Sequence, residues 1–203
     1  MRALEFRDLL ELKSALANSA AYDFLDHFSD LVYRPNQFFL KAKLFRLFSY
    51  DRCLSHSREN YEATKRWMRI TTTLTKYESH ACIKYHNFDR HKNILDIGGY
   101  SGEFVLQICR KYPAIQATVF DLPLVCEIGQ EHIQHEPEAS REPIAVTRES
   151  LLYSMIPFLL FSHSFRPPIF YEKQLEGLDF QNIKVTRICL DTQFFIITAT
   201  KKI

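Results

Sequence analysis

The sequence predicts a mixed α/β chain, with a helical N-terminal region leading into a parallel sheet. Three observations carry this. No glycine precedes Gly98, and the five glycines stand at 98, 99, 102, 129 and 177, so composition changes near residue 88. Before that change, apolar residues recur at helical spacing. After it come an apolar run, a glycine-rich turn, a helical pattern and a second apolar run. That succession is a βαβ unit with a right-handed crossover and parallel pairing, the Rossmann arrangement.

Each element has its own signal. Phe6, Leu9, Leu10 and Leu16 fall near one helix face, and Tyr22, Leu25, Phe28 and Val32 repeat at helical spacing until Pro35. Phe38, Ala42, Phe45 and Phe48 form a third stripe. A fourth helix covers roughly Arg58 to Tyr85, although Thr71-Thr72-Thr73 lowers its propensity. Asn93 to Ile97 reads as a strand. A helix opens at Ser101, buries Phe104, Val105, Ile108 and Cys109, and ends on Arg110-Lys111, where cations suit the helix dipole. Ala117 to Phe120 is the next strand. Glu149 to Phe161 predicts a helix kinked at Pro157, and Phe170 to Leu178 a shorter one. Asn182 to Cys189 and Gln193 to Thr200 predict an antiparallel pair that closes the sheet. Residues 1–86 then form a helical region, and residues 87–203 the sheet domain.

Composition narrows the function. The 203 residues are 46% hydrophobic and 25% charged, which suits a globular chain. A net charge of +2 without any Lys/Arg stripe argues against nucleic acid. Met1 to Leu12 lacks the apolar core of a signal peptide, and Leu151 to Phe161 is too short to span a bilayer. Five scattered cysteines with no Cys-x-x-Cys indicate neither a disulfide framework nor a zinc knuckle. The expectation is a cytoplasmic protein that engages no membrane.

The turn after the first strand carries the chemistry. A nucleoside cofactor across the end of a parallel sheet needs close backbone approach, which Gly98, Gly99 and Gly102 allow. It also needs a helix N-terminus nearby. An acid ending the second strand should accept both ribose hydroxyls; Asp121 lies 25 positions beyond Asp96, the expected separation. Asp96 adds a carboxylate at the crevice.

Leu95-Asp96-Ile97-Gly98-Gly99-Tyr100-Ser101-Gly102, followed by Phe120-Asp121-Leu122-Pro123, resembles the S-adenosylmethionine (SAM)-dependent O-methyltransferases of the caffeate and hydroxyneurosporene type. Trp67-Met68 and the tail from Glu149 are similar to that family's linker helix and final elements. The resemblance implies a Rossmann-like SAM-dependent methyltransferase sheet behind an all-helical dimerisation region, SAM as cofactor and S-adenosylhomocysteine as product. It implies methyl transfer to the hydroxyl of a small, aromatic molecule. Asp121 would hold the ribose, Gly98 the carboxypropyl end, Leu122 the adenine side, and Met68 the cofactor's apolar side or simply the core. The other class of function is a non-catalytic methyltransferase-like dimerisation module.

Two departures stand out. Tyr100 replaces the middle glycine, so either φ is negative there or the ring covers the cofactor's edge; an outward ring is the expectation, since the glycines and both aspartates are kept. Second, roughly 70–80 residues that the family places between its second strand and last helices have no counterpart, with a junction near His132 to Glu142. They would carry the third to fifth strands and the His-Asp-Trp run whose His is the general base, so no catalytic residue is named.

Other readings stay open. The turn could hold no ligand. A nicotinamide cofactor would want glycine at 98, 100 and 103, where Gly, Tyr and Glu stand. His132 and His135 beside Glu131 and Glu136 could ligate a metal, but a polar surface is the expectation, and no metal is predicted. His27, His56, His80, His86, His91 and His163 read as surface or cap residues. Phe38, Phe39 and Trp67 belong to a core, a dimer interface or a pocket wall.

Overall fold

The computed structural model describes residues 6–43, 50–137, 144–147, 167–189 and 193–202. Helix α1 (Arg7–Tyr33) joins the first two predicted stripes into one helix, kinked at His27, whose φ of −127° leaves the helical region. Arg34 breaks it, and α2 (Pro35–Lys41) starts with proline at its first position, where no N–H is needed. Buried Asp30 ties the corner together through Arg34 and Lys41, each at 2.6 Å. A 3₁₀ turn, Asp51–Cys53, precedes α3 (Arg58–Tyr85). The Ser57 hydroxyl caps α3 by accepting from the Asn60 N–H at 3.0 Å. The threonine run does not break the helix: Thr71 and Thr73 hydroxyls donate back to the Met68 and Arg69 carbonyls.

The sheet begins with β1 (Asn93–Ile97), followed by α4 (Glu103–Lys111), β2 (Gln116–Phe120) and α5 (Pro123–Gln134). β1 and β2 pair in parallel, Asp96 opposite Val119. α4 starts two residues later than the Ser101 start expected, because Gly102 serves as its N-cap at φ +76°. β3 (Ile144–Thr147) then pairs in parallel with β2, giving the order β1-β2-β3.

β3 corrects the expectation that the third strand is absent. Only four residues long and preceded by Arg141, Glu142 and Pro143, it lacks the length that marks a strand in sequence. The expected junction also falls partly within α5, which runs unbroken to Gln134, and on the described residues His135 to Pro137; its remainder, 138–142, lies outside the described residues.

α6 (Pro168–Gly177) leads into β4 (Phe180–Cys189), which pairs antiparallel with β5 (Gln193–Lys201). This pair does not close the sheet as expected. It forms a second, two-stranded sheet, because no described strand lies between it and β1. The helix expected at Glu149 to Phe161 lies outside the described residues, as do Phe45, Phe48 and His163.

Two apolar clusters form the core. Val105 and Cys109 of α4 pack on Ala117 and Val119 of β2. Cys53, Trp67, Met68, Leu122, Leu124, Val125 and Ile128 join the N-terminal helices to α5, with Tyr50, Tyr61 and Tyr100 at the edge. Across that seam, the Tyr61 hydroxyl donates to Glu131 at 2.6 Å, and Lys65 pairs with the same carboxylate. No described helix is long and apolar enough to cross a membrane.

Candidate functional site

The parallel strands end side by side, so the turn after β1 faces Asp121 at the end of β2. The Gly98 N–H donates to the Phe120 carbonyl at 2.8 Å, extending the ladder by one bond. The chain then leaves the sheet through left-handed Gly98 (φ +72°) and Tyr100 (φ +51°). Gly99 brings the backbone so close to Asp96 that an added Cβ would lie 2.7 Å from its carboxyl carbon. Neither helix propensity nor strand pattern signals a positive φ at tyrosine, and the negative φ weighed above is not adopted.

Asp121 is 4% exposed. Its Oδ2 accepts from the Tyr100 N–H at 2.9 Å and its Oδ1 from the Leu122 N–H at 2.7 Å. Asp96 Oδ2 is buried with no hydrogen-bond partner among the described residues. Burial, and then the charge of Asp121, push the Asp96 carboxyl up to about 6. Burial also raises Asp121 to about 6, against the Leu122 and Tyr100 N–H groups that favour its ionised form.

Tyr100 does not point outward as expected. Its ring stands edge-on to Trp67, centroids 5.0 Å apart at 81°. Its hydroxyl shares a hydrogen bond with Tyr50, whose own ring meets Trp67 at 5.3 Å. Edge-to-face contact with a fully buried indole explains the inward turn. Leu122 and Met68 sit in the same cluster, 1% and 2% exposed.

The structure thus brings Asp96, Gly98, Gly99, Gly102, Asp121 and Leu122 together, with Met68 packed behind Leu122. Sequence reasoning missed three supports. The Thr72 hydroxyl donates to Ser101 at 2.7 Å and anchors the turn to α3. Gly129 lets α5 approach so closely that a Cβ would lie 2.7 Å from the Tyr100 carbonyl oxygen; a lone glycine inside a helix was the available signal. Cys53, fully buried, packs in the cluster that holds Leu122, across far too much sequence to be read from a motif.

His132 Nε2 donates to the Glu103 carboxylate at 2.8 Å, and His135 Nδ1 donates to the Glu131 carbonyl at 2.6 Å. Burial would raise the Glu103 carboxyl, but hydrogen bonds to His132 and Gln107 outweigh it and leave it below its ordinary value. Among the described residues no cluster of three or more ligands could hold a metal ion.

Comparison with known proteins finds relatives in sequence and in fold. A human protein described as a probable bifunctional dTTP/UTP pyrophosphatase/methyltransferase is 32% identical over 78 residues, 38% of this chain and 13% of that protein. The 3-hydroxy-5-methyl-1-naphthoate 3-O-methyltransferase of Streptomyces sahachiroi is 31% identical over 75 residues, 32% of this chain and 22% of that enzyme. The chain therefore spans only a small part of the curated relatives it matches. Human N-acetylserotonin methyltransferase, solved in complex with SAM, superposes with a TM-score of 0.55 at 12% identity, covering 94% of this chain and 67% of that one. An O-methyltransferase family protein from Burkholderia thailandensis gives 0.56 at 10% identity, covering 92% and 71%. These structures share the fold. The model of the O-methyltransferase domain matches residues 27–157, more than half of the chain, and the protein belongs to that family.

Proposed function

We propose that this protein binds SAM at the ends of β1 and β2 and serves methyl transfer to the hydroxyl of a small, aromatic acceptor. One observation carries the reading: the Asp96–Gly102 turn and Asp121 meet at one crevice, joined by the Tyr100 N–H to Asp121 hydrogen bond. The residue set suits the cofactor. Asp121 supplies carboxylate oxygens for the ribose, and the unpartnered Asp96 Oδ2 is an acceptor for a ligand donor. Left-handed Gly98 has open space where a Cβ would stand, which suits a cofactor tail. SAM supplies the electrophilic methyl group; the chain's own residues supply position and alignment.

The acceptor half is less complete. The one tryptophan is Trp67, preceded by Arg66, so the sequence holds no His-Asp-Trp run. That favours, as a second reading, a methyltransferase-like module that binds cofactor without turnover. In both readings the N-terminal helices pair two copies of the chain, using the exposed apolar face of α1.

Transfer of label from methyl-labelled SAM to a panel of small phenols decides between the two. Turnover supports the enzyme, and saturable binding of SAM without turnover supports the module.

A further inference from the structure

Beside the carboxylate pair, aromatic side chains from both halves of the chain pack on one another: Tyr50 and Trp67 from the N-terminal region and Tyr100 from the turn after β1. The Tyr100 N–H bonds one oxygen of Asp121 and the Leu122 N–H the other, and the Tyr50 and Tyr100 side chains pack on the cluster that holds Leu122 and Cys53. The Tyr50 and Tyr100 hydroxyls share a hydrogen bond, which links the segment before the 3₁₀ turn to the turn after β1. Both rings rest edge-on against Trp67, which is fully buried and has the Arg52 guanidinium 5.5 Å above its ring. Trp67 is a fixed wall, and the two phenols pack against it at the edge of the cluster that holds Leu122, the residue after Asp121.

Asp121 is nearly inaccessible, and both its oxygens are engaged by backbone N–H groups. Each oxygen keeps a second lone pair for a ligand hydroxyl, so the obstacle is access and not acceptor capacity. Tyr100 is also held at φ +51°, a region bulky side chains rarely adopt. Such a residue persists where surrounding contacts over-determine it, and here those contacts are Trp67, Tyr50 and the Asp121 carboxylate.

We infer that Tyr100 and Tyr50 form a two-ring gate over Asp96 and Asp121, which a nucleoside ligand must open before its ribose hydroxyls reach Asp121. This rests on the cofactor site proposed above. A gate that is mostly closed lowers apparent affinity by the fraction open, so Tyr100 and Tyr50 set how tightly this chain holds its cofactor. Opening needs loss of one phenol–phenol hydrogen bond and one ring contact, while the core beneath stays packed.

Calorimetric titration of S-adenosylhomocysteine into wild type, Tyr100→Gly and Tyr50→Phe tests this. Tyr100→Gly removes the ring at a position whose φ suits glycine, and should tighten binding tenfold or more. Tyr50→Phe keeps the ring but loses the latch, and should tighten binding at least threefold. Should Tyr100→Gly lose its fold by circular dichroism, Tyr50→Phe alone decides. Equal affinity in wild type and the folded variants, or weaker binding in the variants, overturns the gate and leaves the cofactor site standing. Absence of binding in wild type and both variants overturns the gate and the cofactor site together.

Discussion

The Tyr100 N–H donates to Asp121 Oδ2 at 2.9 Å, tying the turn after β1 to the end of β2. The Leu122 N–H uses the other oxygen, so one buried side chain satisfies two backbone donors from different segments. Asp121→Asn keeps one carbonyl oxygen for one of those donors, whereas Asp121→Ala strands both. The alanine variant should be less stable than the asparagine variant by about 1–3 kcal/mol, the cost of one more unsatisfied buried donor. Urea unfolding of the two variants measures the difference; equal midpoints and slopes would show that the carboxylate does not organise the turn.

Alanine should destabilise the chain at both Gly129 and Gly98, for different reasons. Gly129 lies inside α5, where alanine ordinarily stabilises. Here its Cβ would meet the Tyr100 carbonyl oxygen at 2.7 Å, a backbone atom that cannot swing aside. Gly129→Ala should therefore destabilise by about 1–3 kcal/mol. Gly98→Ala meets open space and pays only for its left-handed φ of +72°, about 1–2 kcal/mol. Thermal melts of both variants check this, and a Gly129→Ala protein more stable than wild type contradicts the close approach.

The carboxylate pair predicts a pH dependence of stability. Asp96 and Asp121 both rise from 3.8 to about 6 in the fold. For an acid whose folded value is raised, the native state holds the proton more tightly than the unfolded chain. The stabilising contribution is complete below about 4 and is lost as pH rises through about 6. Each group should contribute on the order of 2–3 kcal/mol across that window. Asp96→Asn, which cannot ionise, should flatten the change between pH 4 and 7 relative to wild type. Identical pH profiles would remove the claim that Asp96 is an ionisable buried group. Ionised Asp121 is the better ribose acceptor, so cofactor affinity should move the other way and increase through about pH 6.

Two copies of the chain should associate through α1. Tyr22, Leu25, Phe28 and Val32 repeat along it at 65%, 77%, 61% and 53% exposure, an apolar face with no cover within the described chain. Light scattering at low micromolar concentration should report twice the mass of the 203-residue chain. Leu25→Glu with Phe28→Glu should shift it to the single mass, and a monomeric wild type would leave that face unexplained.

Much of the cofactor half was legible because its signals are local. The apolar runs at Asn93 and Gln116, the three turn glycines and the acid after the second strand each constrain backbone within a few residues. β3 was missed because four residues give no period, and sheet pairing with β2 is what makes them a strand. Tyr100 was misread for a related reason. Its inward ring depends on Trp67 and Tyr50, which come from a helix and a turn far back in sequence. The β4–β5 pair is legible as a hairpin, but that it stands as a separate two-stranded sheet is a matter of long-range pairing, which the local pattern does not encode.

The most direct test of the account is calorimetric titration of S-adenosylhomocysteine into wild type and Asp121→Ala near pH 7.5, at protein concentrations high enough to register weak binding. The account predicts one saturable site per chain, weakened about tenfold or more by Asp121→Ala, the loss of a hydrogen-bonded charged acceptor worth about 1.5–3 kcal/mol. Equal binding by the two proteins, or a wild type that takes NADH and ignores S-adenosylhomocysteine, would contradict it.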